Sequence, residues 1–286
     1  MGLVSSKTVI EAIREAATLL EEAGVSLSEL EAQALAARVF SMPRLELLAK
    51  AHRLAFNTEQ LDLFRNSVRR RILGDPIAYI FNQATFLDHD LYVDSRVLIP
   101  RPDTELLFET AASLFDPNQG SWMDIGTGSG AIAIAAASRF PQATIIATDR
   151  SLDALTVAKR NGAAFPNLAF YPSDLMRDLP SSLPNPFLIT ANLPYIPTHV
   201  IPFLENHVRQ EPRIALDGGG DGMTLIRSLI KDAAQRRIPV LALEIGDGQD
   251  QPVICFLKQH GYLVRHRLPY IDGPIRIITA VHKHHF

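Results

Sequence analysis

Apolar residues recur every three to four positions through the first part of the chain, and this spacing predicts a helical module over residues 1–73. One face of the first helix is formed by Val9, Ile10, Ile13, Ala17 and Leu20. Ser28 with Glu31 has the spacing of a capping box and predicts the start of a second helix. Asn57 with Gln60 has the same spacing and predicts another helix start. We therefore expect a small N-terminal helical domain.

The hydrophobic pattern changes twice after this module. Gly74-Asp75-Pro76 ends the helical spacing, and residues 74–98 are predicted to be a linker whose alternation from Ile77 to Leu98 is typical of a short β-hairpin. Over residues 99–286, short β-branched runs alternate with helices, which predicts an α/β fold with a mostly parallel sheet. Seven strands are expected, at Trp122–Ile125, Thr144–Thr148, Leu168–Tyr171, Phe187–Ala191, Val240–Ile245, Leu263–Arg267 and Ile275–Val281.

Composition narrows the classes of function. The 286 residues are 47% hydrophobic and 21% charged, as in a globular protein, and the longest apolar run, Ala131 to Ala137, is far shorter than the ~20 residues that cross a bilayer. The net charge of −3 lacks the positive field that nucleic-acid backbones usually require. Cys255 is the single cysteine, which excludes an intramolecular disulfide and predicts a buried thiol. With no signal sequence, a cytoplasmic protein is expected.

A glycine-rich loop joins the first predicted strand of the sheet to an alanine-rich helix. The loop is Gly126, Thr127, Gly128, Ser129 and Gly130. Asp149 ends the next strand, 23 residues after Gly126, where its carboxylate can accept hydrogen bonds from both hydroxyls of a ribose. Asp174, after the third strand, either contacts an adenine or caps the segment that follows. The pattern predicts a nucleoside site, and a methyl donor and a nicotinamide dinucleotide both fit it.

The tetrapeptide Asn192-Leu193-Pro194-Tyr195 follows the fourth strand, at the sheet edge where ligands collect. The Asn192 side-chain oxygen and the Leu193 carbonyl can accept both hydrogens of a planar NH2 group, while Tyr195 covers its plane. Two acceptors orient the nitrogen and strengthen their bonds as it becomes positive. No general base is required or identified. The histidines lack the spacing of a zinc site, so we expect no metal.

Several motifs together resemble the release factor glutamine methyltransferases of the PrmC (HemK) family. The resemblance covers nearly the whole chain and includes Gly74-Asp75-Pro76-Ile77-Ala78-Tyr79, Pro100-Arg101-Pro102-Asp103-Thr104-Glu105, Asp124 to Gly130, Asn192 to Tyr195, Glu211-Pro212, Asp221-Gly222 and Leu243-Glu244-Ile245-Gly246. The block that begins at Pro100 is the most specific, because it distinguishes the release factor enzymes from the ribosomal-protein glutamine methyltransferases. Asp103 within it is also predicted to be a helix N-cap.

The resemblance implies a Rossmann-like sheet of seven mostly parallel strands that binds S-adenosylmethionine. It places this donor at residues Gly126, Thr127, Gly128, Ser129, Gly130, Asp149, Asp174, Leu175 and Asn192. It places the glutamine of the Gly-Gly-Gln loop of peptide chain release factors at Asn192, Leu193, Pro194 and Tyr195, and implies that the helical domain helps to dock that protein. Two residues depart from the family pattern, since Leu193 replaces a proline and Leu175 replaces a frequent aromatic residue.

Three other functions share part of the pattern. An adenine N6-methyltransferase also handles a planar NH2 group, although the acidic charge balance disfavours it. A nicotinamide dehydrogenase would use the glycine loop but not the Asn192 tetrapeptide. A catalytically silent protein that binds S-adenosylmethionine or another nucleoside is the third. We expect a monomer with release factors as partners, with neither stable nucleic-acid binding nor membrane association.

Overall fold

The computed structural model describes residues 8–269 and 273–285. Two compact units are present, one formed by Met1–Asn82 with Asn206–Gln210 and the other by Gln83–Glu205 with Glu211–Phe286. The helices are α1 (Val9–Glu22), α2 (Ser28–Val39), α3 (Arg44–Lys50), α4 (Thr58–Ile72), α5 (Ile77–Ile80), α6 (Pro102–Leu114), α7 (Ala131–Arg139), α8 (Leu152–Asn161), α9 (Asn206–Arg209), α10 (Arg213–Leu216), α11 (Thr224–Gln235) and α12 (Asp250–Gln259). The strands are β1 (Ala84–Phe86), β2 (His89–Leu91), β3 (Trp122–Ile125), β4 (Ile145–Asp149), β5 (Leu168–Pro172), β6 (Leu188–Ala191), β7 (Val240–Glu244), β8 (Tyr262–Pro269) and β9 (Ile275–His282).

The first unit is helical, and one of its two predicted capping boxes is present. Asn57 caps α4 by accepting a hydrogen bond from the Gln60 N–H at 2.8 Å, and the Gln60 side chain returns a bond to the Asn57 N–H. The prediction of a capping box at Ser28 is wrong, because α2 begins at Ser28 itself and Leu27 is the N-cap residue. Glu31 instead forms an ion pair of 2.7 Å with the buried Arg71 of α4, which joins the two helices.

This difference predicts unequal effects of two alanine substitutions. Asn57→Ala should lower the free energy of unfolding of the helical unit by about 0.5–2 kcal/mol, because α4 loses its cap. Ser28→Ala is the matched control and should change it by less than about 0.5 kcal/mol, because Ser28 makes no cap. Urea unfolding followed by circular dichroism measures both values, and equal losses would contradict the assignment of the caps.

The predicted hairpin is shorter than expected. β1 and β2 pair antiparallel only over Ala84–Phe86 and His89–Leu91. Ile77–Ile80, predicted as part of the hairpin, forms the helical turn α5 instead. Pro76 has φ −60°, and its carbonyl accepts hydrogen bonds from the N–H groups of Tyr79 and Ile80, three and four residues later. Residues up to Asn82 therefore belong to the helical unit.

The second unit contains the seven-stranded sheet, in the order β5-β4-β3-β6-β7-β9-β8. Strands β3 to β7 are parallel, and β9 pairs antiparallel with both β7 and β8. All seven predicted strands are confirmed. The register pairs Ile125 with Ala191 and Ala191 with Leu243, so the carboxyl ends of β3, β6 and β7 are adjacent. Gly126, Asn192 and Glu244 are consequently neighbours at one sheet edge.

Helices cover both faces of the sheet, because side chains alternate along each strand. Met123 and Ile125 belong to a core with residues of α11 and α12, whereas Trp122 belongs to a core with residues of α6 and α7. Cys255 is exposed, so the prediction of a buried thiol is wrong: α12 turns Val253 and Leu257 inward and leaves Cys255 on its outer side. Within the described residues, no helix is both long and apolar enough to span a bilayer.

Candidate active site

A cleft at the carboxyl edge of the sheet collects most of the predicted site residues. Its volume is about 930 Å³, including space open to solvent. Its lining includes Gly126, Thr127, Gly128, Ser129, Asp149, Asp174, Leu175, Asn192, Leu193 and Pro194. Gly130 and Tyr195, both in the described part of the chain, lie outside this lining. The loop after β3 and the segment after β6 therefore face one shared space.

The glycine loop has a backbone that side chains would disturb. Gly126 has φ +74° and Gly128 has φ +55°, the left-handed region that favours glycine. A Cβ at Gly128 would meet no atom within 4 Å, so this glycine leaves the main chain open to the cleft. Gly130 serves packing instead, because a Cβ there would lie 3.1 Å from the Ile134 side chain and 3.4 Å from Ala158 of α8. Gly130 can therefore influence a bound ligand only indirectly, by allowing the loop to pack closely against Ile134 and Ala158.

Asp149 connects the end of β4 to the glycine loop. Its Oδ2 accepts a hydrogen bond from the Gly128 N–H at 2.9 Å, and its Oδ1 accepts one from the Ser151 N–H at 2.8 Å. Burial raises the pKa of this carboxyl, while the two backbone bonds act in the opposite direction. Each carboxylate oxygen has a further lone pair, so Asp149 can still accept bonds from two ligand hydroxyls.

Asp124 is a buried acid beneath the glycine loop, and the sequence predicted no separate role for it. Its Oδ2 accepts from the Thr127 hydroxyl at 2.6 Å and its Oδ1 from the Thr190 hydroxyl at 2.9 Å. Burial raises its pKa to about 6. The Thr190 oxygen in turn accepts from Trp122 Nε1 at 2.9 Å. This network holds the loop to β3 and β6 on the floor of the cleft.

Asp174 and Leu175 are next to each other on another wall. Asp174 forms a partly exposed ion pair of 2.8 Å with Arg177, and its N–H donates to Asp178 at 3.0 Å, so it takes part in the local turn as well as lining the cleft. Leu175 has φ +56° and is 5% exposed. Its side chain offers an apolar surface in place of a ring.

The Asn192 carboxamide is held by a chain of hydrogen bonds from two other segments. Its Nδ2 donates to the Thr104 hydroxyl oxygen at 2.9 Å, and that hydroxyl donates to Glu244 Oε2 at 2.7 Å. Asn192 Oδ1 is left to accept a bond from a ligand in the cleft. Glu244 is 1% exposed, and burial raises its pKa to about 7. The chain therefore links the end of β6 to α6 and β7.

Tyr195 supports the site from behind the cleft. Its hydroxyl donates to Glu244 Oε1 at 3.3 Å and accepts from Arg276 at 3.3 Å. Arg276 also donates to Asp103 at 2.9 Å, which explains why the N-cap prediction for Asp103 is wrong: α6 begins at Pro102 with Arg101 as its N-cap residue, and Asp103 turns toward β9. Tyr195 was predicted to cover the bound amide, and its contacts here are with Glu244 and Arg276.

The main chain of the tetrapeptide is fixed by packing and by Gln249. Gln249 Nε2 donates to the Tyr195 carbonyl at 2.9 Å. The Leu193 side chain is 4% exposed and lies against the glycine loop, since a Cβ at Gly126 would approach its Cδ2 to 3.0 Å. Because Leu193 precedes Pro194, extended backbone is favoured there. Leucine, like proline, has a main-chain carbonyl that can accept a hydrogen bond.

Glu211 ties two segments of the cleft wall together. Its carboxylate accepts from the Ile99 N–H at 2.9 Å and forms an ion pair with Arg101. Glu211 is 3% exposed, and its partners are Arg101 of the Pro-Arg-Pro block and Ile99, the residue just before that block. These bonds join the segment of the lining residue Pro100, which follows Ile99, to the segment that leads into α10, which carries the lining residue Ile214.

Four residues with clear structural roles had no individual role in the sequence reasoning, namely Thr104, Asp124, Glu244 and Arg276. The positions of the two acids, Asp124 and Glu244, in their strands are signals that could have identified them from the sequence. Asp124 interrupts an apolar strand, and Glu244 ends another strand that is otherwise apolar. A carboxylate in such a strand needs partners. Its partners lie far away in sequence, so the pattern alone does not identify them.

The residues of the cleft fit S-adenosylmethionine. The open main chain at Gly128 allows close approach by a ligand, and Asp149 offers carboxylate oxygens for ribose hydroxyls. Leu175 and Ala154 supply apolar surface in the lining of the cleft. When bound, this donor supplies an electrophilic methyl group on a sulfonium.

The sheet, the glycine loop and Asp149 form a Rossmann-like fold with a nucleoside site, and the family matches given next identify it as that of an S-adenosylmethionine-dependent methyltransferase. A methyltransferase of known structure from Pyrococcus furiosus has the same fold, with a TM-score of 0.51 at 19% identity, covering 76% of this chain and 98% of that one. The family described as "PrmC N-terminal domain" matches residues 11–81, and the "Methyltransferase small domain" matches residues 102–190.

Curated relatives then give the family. A release factor glutamine methyltransferase from Moorella thermoacetica is 39% identical over 282 residues, covering 96% of this chain and 99% of the relative. One from Bradyrhizobium diazoefficiens is 36% identical over 286 residues, covering 96% and 95%. The chain belongs to the family of release factor glutamine methyltransferases. This membership confirms the resemblance read from the motifs and disfavours the adenine N6-methyltransferase alternative.

Proposed function

We propose that this protein transfers a methyl group from S-adenosylmethionine to the side-chain amide nitrogen of the glutamine in the Gly-Gly-Gln loop of peptide chain release factors. The observation that carries this proposal is the pairing of two features in one cleft. Asn192 donates one hydrogen of its NH2 group to the Thr104 hydroxyl, and its Oδ1 is an acceptor in the cleft, beside the glycine loop that fits the donor.

The residues of the chain supply binding, orientation and charge stabilisation. Asn192 Oδ1 and the Leu193 carbonyl each accept one hydrogen of the glutamine NH2 group, which turns the nitrogen toward the methyl. An amide nitrogen is a weak nucleophile, so alignment at about 3–3.5 Å contributes strongly to rate. Positive charge develops on the nitrogen in the transition state, and both acceptors then bind it more tightly. The methyl group would leave its sulfonium as the bond to nitrogen forms, and the nitrogen, then carrying one proton too many, would lose it to water. A general base is therefore not required in the transfer step.

The donor subsite uses a different set of residues. Gly126, Thr127, Gly128 and Ser129 form the loop beneath the donor, and Asp149 accepts the ribose hydroxyls. Asp174 and Leu175 flank the adenine, while Gly130 maintains the shape of the loop. Pro194 stiffens the backbone at the Leu193 carbonyl, and Tyr195 holds the tetrapeptide through Glu244 and Arg276.

The remaining parts of the proposal concern partners and location. The helical domain, predicted over residues 1–73, helps to dock the release factor. The segment predicted as a linker, residues 74–98, spans the boundary between the two compact units after Asn82 and precedes the methyltransferase domain, residues 99–286. We place the enzyme in the cytoplasm as a monomer, with no stable binding to nucleic acid. The net charge of −3 supports the last point.

Mass spectrometry tests the activity directly. Purified release factor incubated with this protein and S-adenosylmethionine should gain one methyl group, 14 Da, on the peptide that contains the Gly-Gly-Gln loop. Fragmentation should assign it to the glutamine side chain. A release factor in which that glutamine is replaced by alanine is the control and should gain nothing.

Three results would contradict the proposed function. Donor binding measured by calorimetry without methylation of any release factor would favour a silent binding protein. Methyl transfer to adenine in an RNA or DNA substrate, with release factor unchanged, would favour the N6-methyltransferase. Protection against heating by NAD and not by S-adenosylmethionine would instead favour a dehydrogenase.

A further inference from the structure

The direction of the hydrogen bonds from Glu244 to Asn192 has a chemical consequence. An amide group has two ends, and only its oxygen can accept the hydrogens of a substrate NH2 group. A carboxamide that is free to turn could present either end. The orientation of Asn192 therefore depends on what its buried neighbour Thr104 can do.

Thr104 has one hydrogen to donate, and it goes to Glu244 Oε2 at 2.7 Å. An ionised carboxylate can only accept, so the Thr104 oxygen then has only lone pairs to offer Asn192. The Asn192 NH2 group satisfies this need at 2.9 Å. In the opposite orientation, Asn192 Oδ1 would face the Thr104 oxygen with no hydrogen between them, which costs about 1–3 kcal/mol for an unmade bond in a buried place.

We infer that Glu244, acting through the Thr104 hydroxyl, sets the orientation of the Asn192 carboxamide and so makes it an acceptor for the substrate. Thr104 and Glu244 are positioning residues, since they act through Asn192. This role rests on the proposed function, because the orientation matters only if an NH2 group is the ligand of the cleft.

Protonation of Glu244 removes the directing effect. A neutral carboxyl can donate to the Thr104 oxygen, and the Thr104 hydrogen can then turn toward Asn192 and stabilise the reversed carboxamide. Burial raises the pKa of Glu244 to about 7. The charged or titratable groups that face it are Asp103 of α6, Tyr195 of the tetrapeptide and Arg276 of β9. Activity should accordingly rise as pH increases through this pKa, because the ionised form is the directing one.

The first experiment compares threonine variants on the same helix. Thr104→Val removes the hydroxyl at nearly constant volume and should lower both kcat and kcat/KM for release factor by about 10- to 100-fold. Thr104→Ser keeps the hydroxyl and should recover most of this loss. Thr110→Val is the matched control, because the buried Thr110 hydroxyl bonds only within α6, to the Leu106 carbonyl at 2.7 Å. It should remain within about 3-fold of the unmodified enzyme.

These variants separate orientation from packing. A loss in Thr104→Val no greater than in Thr110→Val would overturn the role of the hydroxyl. Equal losses in Thr104→Ser and Thr104→Val would show that the methyl packing, and not the hydrogen bond, matters, and would also overturn it. The affinity for S-adenosylmethionine, measured by calorimetry, should be unchanged in all three proteins and verifies that the cleft is folded.

The second experiment observes the Asn192 carboxamide directly by NMR and needs no methyl transfer. In a ¹⁵N-labelled protein, the side-chain NH2 resonances of Asn192, identified by their loss in Asn192→Asp, should shift with pH in a single titration. The same resonances should not titrate in Glu244→Gln, which has no ionisable group at this position. An NH2 signal that is independent of pH in the unmodified protein would overturn the inference. If no release factor is methylated, this titration still tests the orientation, so the two failures are distinguishable.

Discussion

Asn192→Ala is expected to lower kcat for release factor methylation by about 10²- to 10³-fold. The substitution removes the acceptor that binds one hydrogen of the glutamine amide, and this bond strengthens as charge develops on the nitrogen. An interaction that is stronger in the transition state than in the ground state contributes to kcat as well as to kcat/KM. The Leu193 carbonyl remains and should keep part of the catalysis. Initial rates at saturating donor and release factor measure the loss.

The donor site supplies the control for this prediction. Affinity for S-adenosylmethionine, measured by calorimetry, should change less than about 5-fold in Asn192→Ala, because Asp149 and the glycine loop are untouched. Asn185→Ala is the matched substitution in the same unit, at an exposed loop residue that bonds to the Arg236 carbonyl. It should leave kcat unchanged. If Asn192→Ala retained most of its turnover, Asn192 would have no part in orienting the amide.

The sheet was predictable because its signal is local. The four central parallel strands, β3, β4, β6 and β7, are buried on both faces, so each is a short, mostly apolar run between helical segments, such as Ile145–Ile146 in β4 or Leu241–Ala242 in β7. Helix starts were less predictable, because a capping motif only suggests a conformation. Asn57 makes its cap, whereas Glu31, with the same spacing from Ser28, forms an ion pair with Arg71 of another helix. Long-range pairing decides between such alternatives.

The same distinction between local signals and long-range pairing applies to the candidate site. Glycines before a helix and an acid at the end of the next strand are signals within short stretches of sequence, and they were enough to predict residues 126–129 and Asp149 as site residues. The groups behind them are not contiguous: Thr104 lies 88 residues from Asn192 and 140 from Glu244, and Asp103 lies 173 from Arg276. The register of β6 and β7 places Asn192 beside Glu244, and this pairing, which the sequence pattern does not show, gives the tetrapeptide a buried acid as its support.

Leu193 illustrates how the structure tolerates a departure from the family pattern. The proline at that position in the family would fix φ, and leucine does not. The structure compensates in two ways, since Pro194 favours extended backbone at Leu193 and the leucine side chain is buried against Gly126. Packing thus replaces part of the covalent restriction, and Leu193 lines the cleft.

Asp149→Asn is expected to weaken the binding of S-adenosylmethionine by about 100-fold or more. The carboxylate accepts bonds from the Gly128 and Ser151 N–H groups and, as proposed, from the ribose hydroxyls. An amide has only one accepting end, so it loses charge-assisted bonds worth about 1.5–3 kcal/mol each and turns an N–H toward another donor. The loss should be in donor affinity, while kcat at saturating donor falls less than about 10-fold, which is the opposite of the pattern expected for Asn192→Ala.

Calorimetric titration with S-adenosylmethionine measures this affinity, and Asp153→Asn is the matched control. Asp153 is an exposed carboxylate in the first turn of α8, four residues after Asp149, and its loss should change the affinity less than about 3-fold. Equal effects of the two substitutions would mean that Asp149 acts only through its negative charge at long range. A large effect confined to Asp149→Asn requires direct bonds, because a long-range effect would be similar at both positions and would be screened by 0.5 M salt.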